Sequence, residues 1–159
     1  DSSVTGVQTC ALPILKTALE ETRSVAGRFE IVNTNPMVIV DYAHTPDGLE
    51  NILRAARELT PTDGNLICLF GCGGNRDCTK RPKMGKIAQT LADKIIVTSD
   101  NPRSEDPQQI IQDILSGLTL INPKTVFVEP DRRLAIKLLK EIYLINSDLG
   151  KTLKKYLLH

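Results

Sequence analysis

The stretch "NLICLFGCGGNRDCTKRPKMGKIAQTLADKIIVT", Asn65 to Thr98, decides the fold. Every position of "NLICLF" after Asn65 is apolar, the pattern of a strand buried on both faces rather than half-exposed. A Gly-rich loop follows, Pro82 opens a helix that continues through "KMGKIAQTLA", and β-branched "KIIVT" is the next strand. Strand, helix and strand joined by short loops make a βαβ unit, whose two strands run parallel.

The same alternation extends in both directions. Upstream, "RFEIV" (Arg28 to Val32) and "MVIVDYA" (Met37 to Ala43) are expected strands flanking a turn at Asn33–Pro36. In "TPDGLENILRAAREL", Thr45 is a helix N-cap with Pro46 at the first helical position, and Leu49, Ile52, Leu53 and Ala56 recur on one face. A short helix is also expected over Leu15–Ser24. Downstream, "QQIIQDILSGL" places Ile110, Ile111 and Ile114 on one helix face, "KTVFVEP" is a strand, and "DRRLAIKLLKEIYLI" is a helix. The expected architecture is α/β and Rossmann-like, a mainly parallel sheet with helices on both faces. Such sheets bind ligands beyond the carboxyl ends of their strands, which gathers the loops after Val40, Phe70, Thr98 and Val128 at one edge.

At 159 residues, 41% hydrophobic and 25% charged, the chain suits one compact domain. A net charge of +1 gives no global field for nucleic acid or a membrane surface. No apolar run approaches the ~20 residues of a membrane span. Of the four cysteines, Cys68 lies in an apolar run as a small hydrophobe, while Cys72 and Cys78 flank the Gly-rich loop without a CxxC pair. That usage fits a reducing cytoplasm, and no metal site is read from it. "VTGVQTCALPI" (Val4 to Ile14) has no charge and no n-region, so it makes a poor signal peptide. It resembles a translated sequencing-adapter oligonucleotide, and residues 1–14, including Cys10, are expected to be foreign.

Four loops carry the unusual polar residues. In "VIVDYAHTPDG", Asp41 and His44 stand at a strand end before a helix N-terminus; they either cap the turn or meet a ribose and a phosphate. "FGCGGNRDCTKRPKMG" fails both GxxxxGK[ST] and GxGxxG, because Arg76 stands at the last glycine position. Its glycines nevertheless let backbone N–H groups converge, with Arg76, Lys80 and Arg81 beside a helix start, so it is an anion site or a flexible basic loop. In "DNPRSEDP", Pro102 fixes the turn from which Asn101 and Arg103 project. An amide and a bidentate guanidinium suit a zwitterionic amino acid, and the alternative is a surface Arg–Asp pair with Asp106 capping the next helix. In "EPDRR", Asp131 reads as a helix cap ahead of Arg132 and Arg133. No GxSxG elbow accompanies His44, so no Ser–His–Asp relay is expected.

Taken in order, "GRFE", "VIVDYAHTPDGLE", "FGCGGNRDCTKRPKMG", "VTSDNPRSEDP" and "EPDRR" resemble the Mur ligase family, in its diaminopimelate-adding branch, from about Leu15 to about Ile145. The resemblance implies the C-terminal, Rossmann-like domain of a three-domain enzyme, residues 15–159, with the N-terminal and central domains as missing partners. It further implies ATP and Mg2+, both held mainly by the central domain, and formation of an acyl-phosphate on the D-glutamate of UDP-MurNAc-L-Ala-D-Glu. Attack by meso-diaminopimelate then gives a peptide bond, ADP and phosphate in peptidoglycan synthesis. By resemblance, Arg28, Asp41 and His44 contact nucleotide. Arg81 binds the incoming amino acid's carboxylate, and Asn101 and Arg103 match a substrate-binding DNPR motif whose arginine grips the distal carboxylate. No catalytic residue and no metal ligand is assigned to this chain. From about residue 146 the sequence departs from the family's pattern: Gly150, Lys151, Lys155 and Tyr156 only echo an expected Gly-Lys-Gly-His-Glu motif, which suggests a truncated or frame-disturbed end. A free-standing binding module for the amino acid or nucleotide is the alternative.

Overall fold

The computed structural model describes residues 25–147 and 154–158. The adapter-like segment, Cys10, the helix expected over Leu15–Ser24, and Gly150 and Lys151 lie outside the described residues. In chain order the elements are β1 (Glu30–Thr34), β2 (Met37–Val40), α1 (Pro46–Glu58), β3 (Asn65–Phe70), α2 (Lys80–Leu91), β4 (Lys94–Val97), α3 (Pro107–Leu115), β5 (Val126–Val128), α4 (Arg132–Ser147) and β6 (Lys154–Leu158).

The sheet order is β1-β2-β6-β3-β4-β5. Only the β1–β2 pair is antiparallel; β2, β6, β3, β4 and β5 run parallel, so the loops after β2, β3, β4 and β5 open on one edge. Successive strand residues face opposite layers. Leu66, Cys68 and Phe70 of β3 pack with the buried faces of α1, α2 and α3, while Ile67 and Leu69 pack with Ala135, Leu139 and Ile142 of α4. Two cores on one sheet explain why β3 is apolar at every inner position. The expected α/β architecture with helices on both faces is what the chain forms.

Local caps follow the sequence. Thr45 Oγ1 accepts from Gly48 N at 3.1 Å, Asp106 Oδ1 from Gln108 N at 2.9 Å, and Asp131 Oδ1 from Arg133 N at 2.8 Å and Leu134 N at 3.0 Å. Each satisfies donors that a helix start leaves open. Two expectations need correction. The first strand begins at Glu30 rather than Arg28, because Phe29 is left-handed (φ 44°) and its N–H is held by Asp41 Oδ2 at 2.8 Å. Lys154–Leu158 forms β6, between β2 and β3, so Lys155 and Tyr156 occupy strand positions opposite Met37 and Val38 rather than a loop motif beyond a strand. The physical reason is pairing: a chain that returns from α4 into this gap satisfies the inner edges of both neighbours. No helix among the described residues is long and apolar enough to cross a membrane.

Candidate functional site

Two of the edge loops are knitted together. Gly74 N donates to Asn101 O at 2.8 Å, and Arg103 Nη1 donates to Gly74 O at 2.5 Å. Asn75 Nδ2 donates to Ser104 Oγ at 2.9 Å while Ser104 N returns a bond to Asn75 Oδ1 at 3.2 Å. At Gly74 the approach is close enough to require glycine, because a Cβ there would overlap the Pro102 carbonyl; one on Gly73 would stand 3.0 Å from Arg103 Nη1 and press on the guanidinium. Asn75 and Arg103 are both left-handed, with φ of 54° and 51°. Such backbone costs of order 1 kcal/mol or more per residue and persists only where its surroundings over-determine it. Here the reciprocal bonds do so.

The loops enclose a cleft of about 490 Å³. Arg76, Lys80, Arg103 and Arg132 line it with a single carboxylate, Asp100, and Tyr42, His44 and Gly73 complete the wall. Lys80 Nζ donates to His44 O at 2.6 Å, tying the start of α2 to the loop after β2. Burial lowers the Arg132 pKa, with Asp100 opposing that effect. Asn101 does not line this cleft; its Oδ1 accepts from Arg103 N at 3.2 Å and fixes the turn that carries the arginine. The arrangement concentrates cations around one anion, which suits a ligand carrying carboxylates and an ammonium.

A shallower cavity of about 340 Å³ shares Tyr42 and His44 with the first and adds Arg28, Asp41 and the start of α1. Asp41 holds its own loop: Oδ2 accepts from Phe29 N and Oδ1 from Ala43 N at 2.7 Å. Each oxygen retains further acceptor capacity, and the residue lines the cavity. The Arg28 guanidinium carbon lies 6.0 Å from the Tyr42 ring centroid, and Tyr42 meets His44 edge-on at 5.9 Å. His44 Nδ1 is 3.1 Å from the Tyr42 carbonyl, an acceptor, so Nδ1 carries the proton and Nε2 is free to accept when the ring is neutral.

Arg81 is where the structure and the sequence expectation part. Its side chain is 1% exposed, and it pairs with Glu105 Oε2 at 2.8 Å and Asp113 Oδ2 at 2.8 Å. It does not line the cleft, and a substrate carboxylate would have to displace Glu105 to reach it. Its Nε is buried without a partner, a cost that the bonds of Nη1 and Nη2 to the two carboxylates offset. Burial opposes the Arg81 charge, but the hydrogen bonds to Asp113 and Glu105 outweigh it. On the other side, the Asn75 N–H and then Arg81 hold Glu105 below the usual carboxylate range, and Arg81 and Gln109 do the same for Asp113. A folded-state pKa depressed below the unfolded value contributes stability above the unfolded value, about 4, and loses it as pH falls through the folded value. The thermal midpoint is therefore expected to fall more steeply below about pH 4 than that of a Glu105→Gln, Asp113→Asn double variant, measured by circular dichroism.

Sequence reasoning named Arg76 only as general charge and did not single out Asp100 or Tyr42. Asp100 is the first residue of DNPR itself, and that was its signal. Cys68 is wholly buried and its thiol is pushed up to about 12; Cys72 faces Met84, Sγ to Sδ 3.7 Å, with its thiol raised by burial to about 11. Both are core residues; Cys78 is exposed.

The family model described as "Mur ligase, glutamate ligase domain" matches residues 27–148. The UDP-N-acetylmuramoyl-L-alanyl-D-glutamate–2,6-diaminopimelate ligase of Trichormus variabilis is 56% identical over 132 residues, covering 79% of this chain and 25% of that protein. The protein of the same name from Clostridium botulinum is 55% identical over 135 residues, covering 82% and 27%. This chain thus spans about a quarter of the length of these relatives. A solved structure of a ligase of that name superposes with a TM-score of 0.69 at 34% identity over 86% of this chain and 26% of the other. A Mycobacterium tuberculosis folylpolyglutamate synthase complexed with ADP and AMPPCP superposes at 0.66 with 18% identity over 84% and 29%, a likeness of fold alone.

Proposed function

This chain belongs to the Mur ligase family, whose glutamate ligase domain it carries, and from that premise we propose that it is the C-terminal domain of an ATP-dependent ligase joining meso-diaminopimelate to UDP-MurNAc-L-Ala-D-Glu in the cytoplasm. Its own part is to hold the incoming amino acid and face the nucleotide. One observation carries the reading: Arg76 and Arg103 share a cleft with the lone carboxylate Asp100. Diaminopimelate has a carboxylate and an ammonium at each end, so the guanidiniums take carboxylates and Asp100 accepts from an ammonium. Lysine lacks the distal carboxylate and would leave the Arg103 fork with only its bond to Gly74 O. Arg28, Asp41, Tyr42 and His44 offer ATP a cation, acceptors for ribose hydroxyls and an aromatic edge.

The described residues alone do not fit magnesium. No group of three or more His, Cys, Asp or Glu converges among the described residues, so no step is assigned to a metal held here. Bound with ATP elsewhere in the ligase, magnesium would neutralise phosphate charge.

The isolated chain is expected to form no UDP-MurNAc-tripeptide from ATP, UDP-MurNAc-dipeptide and diaminopimelate. Its 159 residues contain no GxxxxGK[ST] loop, and such donors supply most of the charge stabilisation in phosphoryl transfer. An intact ligase carrying this domain should form the tripeptide with diaminopimelate and far less with L-lysine. Equal use of the two amino acids, measured by product chromatography, would contradict the proposal.

A further inference from the structure

Arg103 does not hold its own position. Its backbone is left-handed, its N–H is taken by Asn101, and its guanidinium leans on Gly74 O, an atom of the other loop. The placement of that guanidinium is therefore no better defined than the placement of the Gly-rich loop. The Gly-rich loop is held by Gly74 N on Asn101 O, by the Asn75–Ser104 bonds, and by one carboxylate outside the cleft lining. Glu105 accepts from Asn75 N through Oε1, and the same carboxylate takes Arg81 Nη2 at 3.0 Å through Oε1 and 2.8 Å through Oε2. Arg81 in turn spans from Asp113 on α3 at 2.8 Å to Gly73 O at 3.4 Å. Glu105 thus links the DNPR loop to the Gly-rich loop, and through Arg81 to α3, without lining the cleft itself.

Resting on the reading that the cleft takes diaminopimelate, we infer that Glu105 is a positioning residue for amino-acid choice, holding Arg103 where the distal carboxylate arrives. Hydrogen bonds to an ionised group are stronger than neutral ones, and Glu105 makes its bonds to a cation that is itself buried. Losing that carboxylate removes the acceptor of Asn75 N and leaves the loop, and with it Gly74 O, to the Asn75–Ser104 and Gly74–Asn101 bonds alone. A guanidinium displaced by an ångström loses most of a bidentate contact, because hydrogen bonds weaken steeply with distance and angle. The effect is selective in degree. Arg76, next to Asn75 in the same loop, serves a carboxylate that both ligands carry, so both register the change and diaminopimelate, which also uses Arg103, registers it more.

The test is a titration of the 15N-labelled chain, followed by NMR, with meso-diaminopimelate and separately with L-lysine. Glu105→Ala is expected to weaken diaminopimelate binding about tenfold, the loss of roughly one charge-assisted bond, and lysine binding by less, about two- to threefold through Arg76 alone. Glu105→Gln keeps an acceptor for Asn75 but not the charge, and about a threefold loss is expected. Unchanged amide signals from β3 and β4 establish that each variant is folded, and Glu105→Gln serves if the alanine variant is not. Equal weakening of both ligands would reduce Glu105 to a structural residue and overturn the inference. Unchanged binding in both Glu105 variants, with Arg103→Ala weakened, would overturn it while sparing the cleft. No diaminopimelate-dependent shift near Arg103 in the unmodified chain would overturn the cleft reading and the inference together.

Discussion

Arg103→Ala is expected to lower kcat/KM for diaminopimelate addition by about 30- to 1,000-fold in an intact ligase carrying this domain, with the KM for ATP little changed. The range follows from about 2–4 kcal/mol for losing a desolvated charge-assisted pair and stranding its partner. Arg103 lines the cleft with Asp100 and Arg76, and its guanidinium is oriented by Gly74 O, so little ordering remains to be done when a carboxylate arrives. A site built to bond a group discriminates strongly against a ligand that lacks it. Lysine addition should therefore change little. Arg103→Lys should recover only part of the loss, because an ammonium cannot reproduce the planar fork. Unchanged diaminopimelate kinetics in Arg103→Ala would make DNPR a structural turn and nothing more.

The second large effect concerns stability. Arg81→Met is expected to destabilise the chain by about 3 kcal/mol, since removing the cation leaves Glu105 and Asp113 facing a buried apolar stem. The figure sits at the low end for broken buried pairs because the two carboxylates are 33% and 28% exposed and can hydrate in part. For a domain of this size it corresponds to a melting midpoint lower by about 6–12 °C in scanning calorimetry. Had Arg81 been a ligand of the cleft, its loss would weaken amino-acid binding and spare the midpoint. An unchanged midpoint would thus restore the reading drawn from the family resemblance.

The sequence carried the information needed to place Arg81, in a different form from the motif. Arg81, Met84, Gly85 and Ala88 are the buried residues of α2, and their spacing is that of one helix face. An arginine on an apolar face must find acids, and Glu105 and Asp113 stood downstream to supply them. Arg76 precedes the helix and escapes that constraint, which leaves it free to face the cleft. The parallel sheet, both helical layers and the caps at Thr45, Asp106 and Asp131 were legible because each rests on local periodicity or a single side chain. β6 was not. Its place between β2 and β3 is set by pairing with strands more than 80 residues away in sequence, and "KKYLL" carries only a weak strand signal of its own. The staple between the two loops was equally hidden, since Asn75 and Glu105 are 30 residues apart and meet only once β3 and β4 lie side by side.

The most direct test of the account is a crystal structure of this chain with meso-diaminopimelate. The account predicts one carboxylate of the ligand on Arg103, the other on Arg76, an ammonium within hydrogen-bond distance of Asp100, and Arg81 still paired with Glu105 and Asp113. A ligand carboxylate on Arg81 with Glu105 displaced, or a ligand that leaves Arg103 uncontacted, would contradict it.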